Sequence, residues 1–289
     1  MRWQNRRTSD NVEEGSGGGG GGGRMVVGGG IGTIVLIVLA LLFKQNPLQV
    51  LQQVQSQPQQ QGASDDTHAV TSYAGNDDKK FSSVVLASTE DVWHDLFIQM
   101  NKTYEEPKLY LFKNQVQSAC GAAEASSGPF YCPGDRKVYL DLQFFDEMRN
   151  KFRVSGDFAM AYVIAHEVGH HVQNLLGISA KMDRARQQIS EADYNKLSVK
   201  LELQADFLAG VWANHAQSMD TLLEAGDIES GLNAASAVGD DRLQKQAQGY
   251  IVPDAFTHGT SAQRMYWFKK GFTTGDIRQG DTFNDPSLN

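Results

Sequence analysis

The chain has 289 residues, a formal charge of −8, 40 % hydrophobic residues and 21 % charged residues. That length suits one large or two small folded domains. The acidic balance argues against nucleic acid as a partner.

Residues 1–24 are polar and carry seven consecutive glycines, Gly17 to Gly23, so they are expected to form a disordered tail. Residues 25–43 contain no charge between Arg24 and Lys44. As a helix they would be roughly 28 Å long, close to the hydrocarbon thickness of a bilayer. Arg2, Arg6, Arg7 and Arg24 precede this stretch, and only Lys44 follows before Lys79. The positive-inside rule therefore predicts a single-pass anchor with the N-terminus in the cytoplasm and the bulk of the chain outside. A cleaved signal peptide is the competing reading, but its basic region would be unusually long and no clear small-x-small site follows Phe43. Gly28 and Gly32 have the spacing that lets membrane helices pair, which would give a homo-oligomer through that helix.

Residues 44–80 are rich in Gln, Ser and Asp and read as a flexible linker with a short helix around Leu48 to Val54. The folded domain is expected over 81–289. Ser88-Thr89-Glu90-Asp91 opens a helical pattern carrying Val92, Trp93, Leu96, Phe97 and Met100. Leu109 to Phe112 reads as a strand. Ser118 to Asp135, with Gly and Pro residues, reads as a long loop or irregular hairpin. It holds the only cysteines, Cys120 and Cys132, which are expected to pair in an oxidising compartment. Closing that short loop would contribute about 3 kcal/mol in the chain-entropy model. Two buried free thiols are the alternative, and the spacing fits no common zinc-finger pattern. Val138, Leu140, Leu142 and Phe144 alternate with Tyr139, Asp141, Gln143 and Phe145, the pattern of a strand. Such an edge could take an extended peptide as an extra strand, or be an ordinary packed edge.

A helix follows, capped by Ser155 or Asp157 and stopped by Gly177. Phe158, Ala161, Tyr162, Ala165, Val168, Val172 and Leu175 make one face apolar. Within it lies His166-Glu167-Val168-Gly169-His170, an HExxH run. Histidines four apart stand one turn above each other, so both imidazoles can reach one metal ion. Glu167 is then close enough to take a proton from a water on that metal, the arrangement of zinc peptidases. His171 points about 100° away from His170 and is not expected to bind the same ion. The alternative is a buried helix with satisfied core histidines. His68, His94 and His215 carry no partner pattern.

A second long helix is expected over Ser190 to Met219, opened by Ser190 and Asp193. A catalytic zinc usually has three protein ligands and one position for water. Glu202 and Asp206 share a face of this helix amid Leu201, Leu203, Phe207, Leu208, Val211 and Trp212. Glu202 is assigned as the third ligand and Asp206 as acceptor for the free N–H of a ligating histidine. A solvated acidic stripe is the alternative, and Glu191 and Asp193 are poorer ligand candidates on the same helix. Further helices are expected around 222–232, 234–248 and 261–270, with Gly271 stopping the last.

HExxH followed by Glu202-Leu203-Gln204-Ala205-Asp206 resembles the ExxAD pattern of glutamate-type zinc peptidases, including the HtpX-type and CAAX-prenyl-protease-type membrane enzymes. The wider text is closer to the neutral zinc metallopeptidase family of bacteria. That likeness rests on residues 128–133, Val138-Tyr139-Leu140-Asp141, residues 161–173 and residues 257–264. The resemblance implies an α+β, zincin-like domain, mostly helical with a small β-sheet, preceded here by one transmembrane helix. It implies one zinc ion and endopeptidase activity on proteins or peptides, and the topology expected from the charged flanks places that activity outside a bacterial inner membrane. In the HtpX-type enzymes a His-Pro element, with an Arg six residues after the His, lies near the catalytic centre. His258 and Arg264 match it, although Gly259 stands where the proline would be. They would stabilise the oxyanion. Alternatively, Thr257 to Ser261 is a helix-capping turn with Arg264 in a surface ion pair. A catalytically silent zinc-binding envelope scaffold is the competing function, and a closed coordination shell with a fourth protein ligand would favour it.

Overall fold

A computed structural model describes residues 1–15, 73–124, 128–150 and 156–288. The stretches read as a membrane anchor (25–43) and as a short linker helix (48–54) lie outside the described residues. Among the described residues no helix is long and apolar enough to cross a membrane.

The architecture is mixed α+β and mostly helical. Strand β1 (Val12–Glu14) is followed, beyond the undescribed stretch, by helix α1 (Tyr73–Gln99). Strands β2 (Lys108–Phe112), β3 (Gln115–Ser118), β4 (Gly121–Glu124), β5 (Phe130–Cys132) and β6 (Lys137–Asp141) come next. Helices α2 (Gln143–Asn150), α3 (Asp157–Leu175), α4 (Ile178–Arg186), α5 (Glu191–Asp220), α6 (Asp227–Ala237), α7 (Asp240–Gln248) and α8 (Ser261–Thr274) complete the domain. The main sheet runs β1-β2-β6-β5, with β1, β2 and β6 parallel and β5 antiparallel to β6, while β3 and β4 form a separate hairpin.

The N-terminal residues depart most from expectation. Residues 1–15 are not a disordered tail but part of the domain. Val12, Glu13 and Glu14 pair with Leu109, Tyr110 and Leu111. Glu13 accepts from Lys108 and Lys137 on the next two strands, at 2.6 and 2.5 Å. Trp3 packs edge-on against Phe81 and donates to Asp157 at the start of α3. Arg7, Ser9 and Asn11 all bind the carboxylate of Glu90, which is only 2 % exposed. This explains why Ser88-Thr89-Glu90-Asp91 does not open a helix. Glu90 is buried in the middle of α1 with partners supplied by the N-terminal segment, and Thr89 bonds back to Leu86 O. The helix starts at Tyr73, inside the expected linker, and its Phe81, Val85 and Leu86 enter the core.

Other boundaries move for local reasons. The strand read over 138–145 ends at Asp141, whose side chain accepts from the Gln143 and Asn114 backbone N–H groups and turns the chain into α2. The free edge of the sheet beside α3 is therefore β5, whereas β6 is internal. The segment 118–135, expected as a long loop or irregular hairpin, supplies half of the β3–β4 hairpin and all of β5, and Cys120 and Cys132 are joined in a disulfide. Helix α3 begins after Gly156, at φ 107°, with no side-chain cap from Asp157. The expected helices at 222–232 and 234–248 are displaced to α6 and α7. Their break falls at Gly239, where a Cβ would lie 2.4 Å from the Ser261 nitrogen.

Helix α3 is the axis of the core, buried from Phe158 to Gly169. Helices α1, α5 and α6 and strand β5 pack around it.

Candidate metal centre

Two helices build the centre. A Cβ on Gly169 of α3 would lie 3.0 Å from the carbonyl oxygen of Ala205 on α5. Glycine inside the HExxH run therefore lets the two backbones approach and brings Glu202 opposite the histidines. The Nε2 atoms of His166 and His170 lie 3.1 and 3.4 Å from the two carboxylate oxygens of Glu202. With zinc–donor distances near 2.0–2.1 Å, the edge of a tetrahedral site is about 3.4 Å. Each histidine–carboxylate separation thus suits one edge of such a site. Among the described residues His166, His170 and Glu202 are the one group of three or more His, Cys, Asp or Glu with donor atoms this close, all within 4.8 Å of one another.

The remaining atoms of the ligands are held from behind. His166 donates from Nδ1 to Asp206 Oδ1 at 2.9 Å, leaving Nε2 to face Glu202. Asp206 is fully buried and also accepts from Tyr162 and from Arg264, whose Nε and Nη2 reach its two oxygens at 2.8 and 2.9 Å. His170 donates from Nδ1 to Gln173 Oε1 at 2.8 Å. Gln173 is fixed in turn through Leu201 O and Gln204 on α5. Both rings are therefore held by Nδ1 and present Nε2 to a metal.

The electrostatics follow from burial and pairing. Burial pushes the Asp206 carboxyl up, but Arg264 and His166 outweigh it and hold the group at about 2. Burial also works against charge on His166, yet Asp206 and Glu202 push it up to about 10. Glu202 is held well below the usual carboxylate range, because His170 and His166 outweigh its desolvation. Glu167 behaves differently. Only 8 % exposed, it is pushed up by burial, with partial relief from His170 and His166, and hydrogen-bonds to no described residue. A poised, unpaired carboxylate next to a three-donor set is suited to accept a proton.

His258 and Arg264 part company. Arg264, 3 % exposed, lies neither on the surface nor toward open space; it also donates to Val238 O and Tyr162 Oη. It neutralises Asp206 behind His166, which corrects its reading as an oxyanion donor. His258 sits in the turn before α8, its Nδ1 3.2 Å from Asp240 Oδ1 and 3.0 Å from Thr257 Oγ1. The turn does cap α8, through a capping box of Thr260 and Gln263. Gly259, in place of proline, has φ 90°, and a Cβ there would lie 3.2 and 3.3 Å from Val199 and Leu203 of α5.

His171 does not join the centre. Its Nε2 donates to Glu105 O at 2.6 Å, so Nδ1 accepts from Tyr131 Oη of β5 at 3.0 Å. His94 pairs with Glu106, and His215 bonds Gly275 O. His68 lies outside the described residues. Tyr162, Gln173 and Asp240 are the participants that sequence reasoning missed. Tyr162 and Gln173 lie one turn from His166 and His170, a spacing that could have flagged them.

The sequence model of a family described as "Putative neutral zinc metallopeptidase" matches residues 1–283. The uncharacterized protein YpfJ of Escherichia coli (strain K12) is 50 % identical over 289 residues, spanning 98 % of this chain and 99 % of that protein. The uncharacterized protein Rv2575 of Mycobacterium tuberculosis (strain H37Rv) is 42 % identical over 211 residues, 70 % of this chain and 69 % of that protein. No solved structure matches.

Proposed function

The chain belongs to this neutral zinc metallopeptidase family, and from that premise we propose that it is a zinc-dependent endopeptidase with a zincin-like catalytic domain. The observation that carries this reading is the buried Glu167, hydrogen-bonded to no described residue, beside a three-donor set whose ligand atoms lie within 4.8 Å of one another. His166, His170 and Glu202 would hold one zinc ion. When bound, zinc supplies Lewis-acid polarisation of the peptide carbonyl and a lowered pKa for the attacking water. Glu167 takes the proton of that water on its carboxylate and delivers it to the leaving amine. His258, coupled electrostatically to Glu202, donates Nε2–H to the developing oxyanion as an imidazolium whose Nδ1–H is held by Asp240. Strand β5 offers the free edge along which an extended peptide would lie.

A catalytically silent scaffold would need no Glu167 and would favour a fourth protein donor on the metal. Among the described residues the group has three. The test is a peptide-library digest with and without chelator, using the parent and Glu167→Gln. The variant should keep its zinc and lose about 10²–10⁴-fold in cleavage. Zinc retained with equal cleavage by both would remove Glu167 from the mechanism, and zinc retained with no cleavage by the parent would favour the scaffold.

The uncharged stretch 25–43 supports attachment to a bilayer. The expected topology, N-terminus inside and domain outside, conflicts with the packing of residues 1–15 on the domain, because one crossing would separate β1 from β2. In the reading offered here both lie on the same side of the membrane.

A further inference from the structure

We propose that Asp240 is a positioning residue for His258: it fixes the imidazole in the Nδ1–H tautomer and turns Nε2 toward the substrate side of the metal centre. The inference rests on the endopeptidase reading above and adds to it a residue from a separate helix. Asp240 is 2 % exposed, in the first turn of α7. Its Oδ2 accepts the backbone N–H groups of Thr257, His258 and Gly259 at 2.7, 2.6 and 3.0 Å. Its own N–H returns a bond to Gly259 O at 2.9 Å. One carboxylate oxygen therefore clamps the whole turn, leaving Oδ1 to receive His258 Nδ1 at 3.2 Å.

A carboxylate has no proton to give, so the shared hydrogen belongs to the imidazole. Nδ1–H is then the fixed site, and Nε2 is the atom left for chemistry. His258 Nε2 hydrogen-bonds to no described residue, and the side chain keeps 29 % of its exposure. The turn rests on α5 through Gly259, whose missing side chain leaves it against Val199 and Leu203, the latter adjacent to ligand Glu202. A structural clamp alone would need only Oδ2; the second oxygen, aimed at the ring, is what assigns the tautomer role. The arrangement parallels Asp206 behind His166, but here the oriented imidazole is not a metal ligand.

The test uses the full chain loaded with zinc. His258→Ala should lower kcat about 100-fold, and Asp240→Asn, which keeps one acceptor for the backbone, about 10-fold, each with KM within about twofold and zinc content unchanged. In the His258→Ala background, Asp240→Asn should cost nothing more, since its effect passes through the ring. Equal additional loss in that background would overturn the proposal, as would an Asp240→Asn variant with parental kcat. Histidine-selective ¹⁵N NMR reads the tautomer independently of activity. The parent should show His258 protonated on Nδ1, and Asp240→Asn should shift that population. A His258 signal protonated on Nε2 and not on Nδ1 in the parent overturns the proposal even if no peptide is ever cleaved. An inactive parent with the expected tautomer would instead count against the endopeptidase reading alone. Should Asp240→Asn fail to fold, the parent's own tautomer still decides.

Discussion

Arg264 and Asp206 form a two-point ion pair, 2.8 and 2.9 Å, buried directly behind the metal-facing His166. The pair joins α8 to α5 and lets Asp206 stay ionised without water. Breaking a buried pair by removing one partner leaves an uncompensated charge, at a cost of about 3–5 kcal/mol. Arg264→Ala should therefore lower the unfolding free energy by that order, and zinc affinity by about 10–100-fold, since Asp206 supports a ligand. Arg264→Lys keeps the charge but loses the fork, so it should fall between. Urea unfolding and zinc titration read both effects. A stable Arg264→Ala variant with parental zinc affinity but lost kcat would return Arg264 to the oxyanion role.

Gly210 on α5 and Gly271 on α8 set the distance across which that pair forms. A Cβ on Gly210 would sit 2.1 Å from Phe268 O, and one on Gly271 would sit 2.0 Å from Phe207 O. Neither position can admit a methyl group without moving a backbone. Gly271→Ala should cost about 3 kcal/mol or more through overpacking, and by separating Arg264 from Asp206 it should also weaken zinc binding. An unchanged denaturation midpoint would show that the crossing relaxes freely.

Gly271 also marks where sequence reading stops. It was expected to end α8, yet the helix runs on to Thr274 and ends at Gly275, with φ 60°. A glycine needed for a helix stop and one needed for close approach are the same letter, and only the partner helix separates the cases. The metal ligands were legible because helical periodicity places His166 with His170, and Glu202 with Asp206, by local geometry. Gln173 and Tyr162 lie within the same reach but look like ordinary interior residues until their partners on α5 are known. Asp240 was not legible. Its partner lies 18 residues away, and the pattern ran as one helix straight through Gly239. The N-terminal strand was hidden for a different reason. A short polar segment beside a run of glycines has the composition of a tail, while its stability comes from the buried Glu90 and the edge of β2, far along the chain.

Packing of residues 1–15 makes a prediction about compartments. Cysteines introduced singly at exposed Thr8 and exposed Lys102 should react alike with a membrane-impermeant maleimide in intact cells, both labelled or both protected. Permeabilisation should then label both. If one position is labelled and the other protected, the N-terminal strand does not pair with β2 in the cell.

His171 gives a pH signature separate from the metal centre. Burial, with a smaller contribution from Arg136, pushes its pKa down to about 3, against an ordinary value of 6.5. Its imidazole is neutral, donating to Glu105 O and accepting from Tyr131 Oη, which Asn174 also holds at 3.0 Å. Edge strand β5 is thereby tied to α3. Between pH 3 and 6.5 the unfolded chain binds a proton at this residue that the folded chain does not. This contribution to stability is therefore full above about pH 6.5 and declines as pH falls, by up to ~1.4 kcal/mol per pH unit from this one group. His171→Gln, which cannot titrate, should be less stable at pH 7 because the Tyr131 and Glu105 bonds are imperfectly replaced. Its stability should nevertheless fall less steeply from pH 6.5 to 4.5, by close to one proton in the linkage slope. Urea unfolding at several pH values measures the difference. Equal slopes for parent and variant would mean that His171 is protonated in the folded protein, and the neutral link between α3 and β5 would then be wrong.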